Sequence, residues 1–184
     1  TQVTYNGQTQ TQAANSVTPA FLTGDGVTIF GNASARNAGT YGSNLSATGS
    51  DVGNYQISYT NANLVINPYT INFGSGGSSP NINAVANSRV YTSGTTATGS
   101  LTMVNLFPGD SVNPTFDTAN FASAGVGNGI GVIFNGVTLA GASAANYVIG
   151  NTAVTTSANI TPAPLTVTAN NAASFVTRSI NAVG

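Results

Sequence analysis

Asp51-Val-Gly-Asn54-Tyr55-Gln-Ile57-Ser-Tyr59, running on to Leu64-Val-Ile66-Asn-Pro68, is the stretch that decides the fold. Apolar and polar residues alternate along both of its halves, and a period of two is that of a half-buried β-strand. Turn-forming Asp, Gly and Asn precede the alternation. Pro68, which has no N–H to give to a ladder, closes it at a strand end or edge. The same pattern returns as Ser143-Ala-Ala-Asn146-Tyr147-Val-Ile149 leading to Ile160-Thr-Pro162. A repeat of roughly ninety residues marks a tandem array of small domains, which builds length rather than one catalytic cleft.

Other landmarks recur in the same order. Tyr5 and Tyr91 lie 86 residues apart, Gly24-Asp25 and Gly109-Asp110 85, Gly39 and Gly125 86, Asn54-Tyr55 and Asn146-Tyr147 92, and Pro68 and Pro162 94. The growing offset places an insertion in the second copy around Gly127-Asn128-Gly129-Ile130-Gly131, where glycines predict a loop extension. The first copy is read as residues 1–68 and the second as residues 69–162. Residues 163–184 are expected to open a third copy, because Leu165-Thr-Val167-Thr-Ala169 repeats Tyr69-Thr-Ile71-Asn-Phe73. The chain is expected to be a window on a longer protein.

Charged residues make up 4% of the chain, against about 25% in an ordinary globular domain, and the net charge is −1. Lys, Glu, His, Cys and Trp are absent. Such a chain offers no basic patch for nucleic acid and no polybasic cluster for anionic lipid. Disorder is disfavoured because 41% of residues are apolar and sit in short alternating runs between Gly, Asn and Ser clusters. None of these runs is long enough to span a bilayer. No apolar stripe has helical spacing, and Asn6-Gly7 and Asn135-Gly136 predict tight hairpin turns. The expected fold class is all-β, a small sandwich of about seven strands per copy held by its core without disulfides.

Without His, Cys, Lys or Glu, the chain lacks the usual bases, thiol nucleophiles and Schiff-base amines, so neither an enzyme nor a cofactor is expected. Of the four aspartates, Asp25 and Asp110 are equivalent positions, expected to serve local turns through their own side-chain oxygens. Asp51, beside Gly53 and Asn54, is read as a turn cap rather than a calcium ligand, because Ser143 replaces it in the second copy. Tyr55 and Tyr147 are read as core tyrosines whose hydroxyls bond nearby backbone, in preference to exposed platforms for sugar. Asn32, Asn44 and Asn159 stand in glycosylation sequons. Lys–Asn isopeptide and Cys–Gln thioester staples are chemically impossible in this chain. Pro68 and Pro162 are expected to join one copy almost directly to the next, which limits bending.

Tyr5-Asn6-Gly7 near the start of a copy, Gly24-Asp25, Gly49-Ser-Asp51-Val-Gly-Asn-Tyr55 and the closing Ile160-Thr-Pro-Ala-Pro-Leu165-Thr-Val-Thr-Ala169 resemble the YDG/MBG-type repeats of large bacterial, filamentous-haemagglutinin-like adhesins. The chain departs from that pattern with Asn6 in place of Asp, and with Tyr91-Thr-Ser-Gly94 in the second copy. The resemblance implies immunoglobulin-like modules, secretion to the bacterial cell surface, and a stalk or spacer role in adhesion or biofilm. The implied partners are neighbouring repeats. Two further readings are a self-assembling extracellular fibre joined by strand addition, with other copies of itself as partners, and a carbohydrate-binding module contacting surface glycans. Nucleic acid and direct membrane insertion are not expected.

Overall fold

The computed structural model describes residues 1–13, 16–73, 78–150 and 153–169. Residues 170–184, most of the expected third copy, lie outside them. The fold is all-β, with 45% of the described residues in strands and 4% in helical turns. In the first copy the strands are β1 (Gln2–Thr4), β2 (Gln10–Thr11), β3 (Thr28–Phe30), β4 (Ser34–Ala35), β5 (Gly39–Gly42), β6 (Ser46–Thr48) and β7 (Asn63–Asn67). In the second they are β8 (Tyr69–Phe73), β9 (Asn81–Ala86), β10 (Arg89–Val90), β11 (Gly99–Val104), β12 (Asn113–Thr115), β13 (Thr118–Phe121), β14 (Gly127–Asn135), β15 (Thr138–Ala140), β16 (Tyr147–Ile149) and β17 (Val154–Thr161).

The two copies reuse the same pairings. β1 runs parallel to β7 with Val3 opposite Ile66, and β10 runs parallel to β17 with Arg89 opposite Ile160. Just past those ladders the Tyr5 N–H donates to the Asn67 carbonyl at 2.8 Å, and the Tyr91 N–H to the Thr161 carbonyl at 2.9 Å. β3 is antiparallel to β6 as β12 is to β15. Single 3-10 turns, Val52–Asn54 and Ala144–Asn146, deliver the chain to Tyr55 and Tyr147. Pro68 alone separates β7 from β8, and Pro162 follows β17 directly.

Several sequence expectations are corrected. The insertion in the second copy lengthens a strand instead of a loop: β14 spans Gly127–Asn135, whereas β5 spans only Gly39–Gly42. A bulge between Gly127 and Ile130 absorbs part of the excess, with Gly129 at φ 63°. Register also pairs Gly39 with Gly127 rather than Gly125, since both stand opposite the closing isoleucine, Ile66 or Ile160. Gly7 and Gly136 do adopt positive φ, but neither makes a hairpin, because the strands flanking each turn join different sheets. The alternating stretch at residues 55–59 forms no strand, although its counterpart β16 pairs parallel with β8. Residues 163–169, expected to be strand, also pair with no strand among the described residues and are exposed.

The core lies mainly in the second copy. Two four-stranded sheets, β10-β17-β14-β13 and β11-β9-β8-β16, enclose it. Val132, Phe134, Val154 and Ile160 come from the first sheet, and Ile71, Ile82, Leu101 and Tyr147 from the second. In the first copy only Tyr5, Ala33, Leu64 and Ile66 are buried hydrophobics among the described residues. Phe134 is fully buried, with its ring edge-on to Phe116 at 4.7 Å. Phe134→Ala is expected to lower the unfolding free energy by about 3–5 kcal/mol. Leu22→Ala, at a position 72% exposed, should change it by less than about 0.5 kcal/mol, both read by chemical denaturation.

Candidate functional site: the junction between the copies

Gly109 turns the chain at φ 84°, and the Asp110 N–H closes that turn on the Phe107 carbonyl at 3.1 Å. Gly24, at φ 99°, and Asp25, whose N–H meets the Leu22 carbonyl at 3.2 Å, build the same turn in the first copy. Because backbone closes both turns, the two carboxylates do not serve them, contrary to the sequence expectation. Each takes a phenol instead. Tyr55 donates to Asp25 at 2.5 Å while its oxygen accepts the Leu22 N–H at 2.9 Å. Tyr147 donates to Asp110 at 2.6 Å. The hydroxyls of these tyrosines thus give their protons to carboxylate, not to backbone.

On Asp110, unlike Asp25, groups from the other copy also converge. The Tyr5 hydroxyl points between the carboxylate oxygens, 2.7 and 2.9 Å away. Arg36 forms an ion pair through Nη2 at 2.6 Å, and the same nitrogen meets the Pro108 carbonyl at 3.0 Å. Its Nε donates to the Gly7 carbonyl at 2.9 Å, and the guanidinium lies over the Tyr5 ring at 5.7 Å. The Asp110 side chain is 0% exposed and that of Arg36 34%. Asn146, also buried, accepts the Ala38 N–H at 2.8 Å and donates to Asn37 at 3.2 Å.

Aromatic packing shapes this pocket. Phe107 stands edge-on to Tyr5 and to Tyr69 and stacks on Tyr147, with centroids 5.6, 5.3 and 6.2 Å apart. Gly7 is required here twice over: its φ is 77°, and a Cβ would lie 2.8 Å from Phe107 Cγ. Asn6 serves the adjoining turn, its side-chain oxygen accepting the Gln8 N–H at 2.9 Å. The Tyr-Asn-Gly motif therefore supplies a phenol, a turn and a missing Cβ to one joint.

Burial works to raise the Asp110 pKa. Hydrogen bonds from Tyr147, Tyr5 and Arg36, with the Arg36 charge, outweigh it and hold the carboxyl below its ordinary value. Tyr5 is pushed up to about 12, first by burial and then by its bond to Asp110, and Tyr147 is raised by the same causes. A carboxylate met by three donors is a clasp.

Residues 79–158 match the YDG domain family. They form a YDG domain. Asp110, Asn146 and Tyr147 lie inside the YDG domain, whereas Tyr5, Gly7 and Arg36 reach it from outside. No curated protein and no solved structure matches the chain significantly.

The remaining sequence candidates lie elsewhere. Asp51 accepts the Gly26 N–H at 2.8 Å and the Ser50 hydroxyl at 2.6 Å, so it pins a neighbouring loop instead of capping its own 3-10 turn. Ser143 does the same for the Ser111 N–H at 3.1 Å. Asn44 is exposed, Asn32 keeps its oxygen buried, and Asn159 accepts the Gly129 N–H at 2.8 Å. Among the described residues no group of three or more His, Cys, Asp or Glu could hold a metal ion, and no helix is long and apolar enough to cross a membrane. Sequence reasoning missed Arg36 and Phe107, and marked Asn146 as a repeat landmark without a role. The available signal was that Arg36 and Asp110 are rare opposite charges in a chain with only seven charged residues, three basic and four acidic.

The shifted pKa values set a pH window. A depressed carboxyl contributes stability that is complete above its unfolded value and lost as pH falls through the folded one; raised phenols contribute stability lost as pH rises above about 10. Denaturant unfolding should therefore be flat between about pH 5 and 9, weakening on both sides. Asp110→Asn should cost roughly 2–3 kcal/mol at neutral pH and flatten the acid limb.

Proposed function

We propose that the chain is a structural spacer segment of a secreted bacterial cell-surface adhesin, in which tandem immunoglobulin-like β-sandwiches are held at a set angle to support adhesion or biofilm formation. The observation that carries this reading is the buried clasp on Asp110. A charged group out of water is tolerable only while its donors stay in place, so Tyr5 and Arg36 couple the orientation of one copy to that of the next. The single-residue Pro68 link adds to this, because it leaves little chain in which to bend. Secretion and surface exposure rest on the resemblance of the repeat motifs to adhesin modules, and the YDG domain at residues 79–158 is consistent with them.

The absence of cysteine permits clean double labelling. Spin labels at Asn44 and Thr155, one exposed position in each copy, should give a single narrow distance distribution by pulsed electron resonance. Arg36→Ala combined with Tyr5→Phe should broaden it, and a broad distribution in the unaltered chain would refute the spacer. Antibody raised against the chain should label intact source cells without permeabilisation.

A further inference from the structure

Three asparagines of the chain precede a glycine: Asn6-Gly7, Asn128-Gly129 and Asn135-Gly136. A glycine nitrogen has no neighbouring side chain to shield it, so at each of these places it stands within reach of the side-chain carbonyl carbon of the asparagine before it. The fold separates the three. At Asn128 the nitrogen is engaged, because the Gly129 N–H donates to the Asn159 side-chain oxygen at 2.8 Å and both members of the pair lie inside β14. At Asn135 the chain is pinned and the local charge is adverse. The Asn135 carbonyl receives the Asp117 N–H at 2.9 Å, and the Asp117 carboxylate lies so close to Gly136 that a Cβ there would collide with its Oδ2. A carboxylate in that place opposes loss of the proton from the Gly136 nitrogen, since the attacking form is an anion.

At Asn6 each of these conditions is reversed. The Gly7 N–H meets no acceptor among the described residues, and Asn6 is exposed to the water that must remove its proton. Asn6 Oδ1 accepts the Gln8 N–H at 2.9 Å, which draws electron density from Cγ and makes it the better electrophile. The charge set against Gly7 is a cation: Arg36 Nε donates to the Gly7 carbonyl at 2.9 Å and favours an anionic nitrogen beside it. We propose that Asn6-Gly7 is a site of spontaneous backbone modification through which the joint between the copies is released with age. The Gly7 nitrogen, its proton taken by water or hydroxide, bonds to Asn6 Cγ; the Cγ–Nδ2 bond breaks and ammonia leaves, closing a succinimide. One water then opens the ring. Cleavage at Cγ gives aspartate, and cleavage at the main-chain carbonyl gives isoaspartate, whose backbone runs on through Cβ and Cγ.

The place of this bond gives the modification its consequence. Tyr5 and Gly7 flank Asn6, and each holds the joint: the Tyr5 hydroxyl donates to Asp110 at 2.7 Å, and the Gly7 carbonyl takes Arg36. Isoaspartate inserts an extra main-chain carbon between them. Gly7 sits against Phe107 with no room for even a Cβ, so the lengthened chain cannot keep both contacts in place. Asp110 then loses donors that its burial requires, and the orientation of the copies is no longer fixed. The site itself needs only the geometry of the joint, whereas the release rests on the set angle argued for the spacer.

Incubation of the full chain in mildly alkaline buffer, followed by peptide mapping, tests the site. Asn6 should convert several-fold faster than Asn128 or Asn135, with isoaspartate identified by enzymatic methylation of its new carboxylate. Asp117→Ala, at an exposed position, should raise the conversion of Asn135 towards that of Asn6. In the chain spin-labelled at positions 44 and 155, the distance distribution should broaden in step with conversion of Asn6. An Asn6→Gln chain aged alongside should stay narrow, as should fresh Asn6→Asp, which carries the charge without the extra carbon. Conversion of Asn6 no faster than that of Asn135 overturns the site, and full conversion that leaves the distribution narrow overturns the release. A distribution already broad in fresh protein refutes the spacer and the release together, and the order of conversion still decides the site by mapping alone.

Discussion

The buried carboxylate of Asp110 is the constraint on which the joint depends. Removing an ion from water costs several kcal/mol unless other groups replace the lost hydration. Here the replacements are two phenols and a guanidinium at 2.6–2.9 Å, and two of the three belong to the first copy. Rotating one copy against the other would strand the charge, so the local need for hydrogen bonds becomes a constraint on the relation between copies. The aromatic cage of Tyr5, Tyr69, Phe107 and Tyr147 keeps water from substituting for those donors.

The repeat places the same chemistry at two sites with different outcomes. Asp25 and Asp110 sit in the same glycine turn and take the same phenol from the tyrosine after the 3-10 turn. Only Asp110 has Tyr5 and Arg36 in reach. Equivalent residues thus act as a completed clasp in one copy and a half-built one in the other, and the difference is made by what packs against them. The strands show the same asymmetry: β16 pairs with β8, while residues 55–57 carry an equivalent alternation and pair with no strand among the described residues.

Much of the candidate site was visible in the sequence as recurrence without role. Gly-Asp and Asn-Tyr recur, and in the structure they form the glycine turns and the phenol–carboxylate bonds, while Pro68 and Pro162 directly follow β7 and β17. Their partners were misassigned because sequence spacing reports neighbours along the chain, whereas Tyr5 and Asp110 meet across 105 residues. Arg36 has no counterpart in the second copy, so a search for repetition passes over it. The insertion was misread for a related reason: glycines such as Gly129 suit a loop, but equally suit a bulge within a long paired strand.

By itself the sequence determined the all-β class and the recurrence of its turn and proline landmarks. Those follow from alternation, turn residues and proline, whose effects act within a few bonds of the residue concerned. Only the tertiary structure decided which alternating segments become strands, where each aspartate sends its charge and which tyrosine is buried. Each of those outcomes requires a partner that local pattern does not specify. A strand is stable when another edge receives its backbone bonds, and a buried carboxylate when donors arrive from elsewhere in the fold.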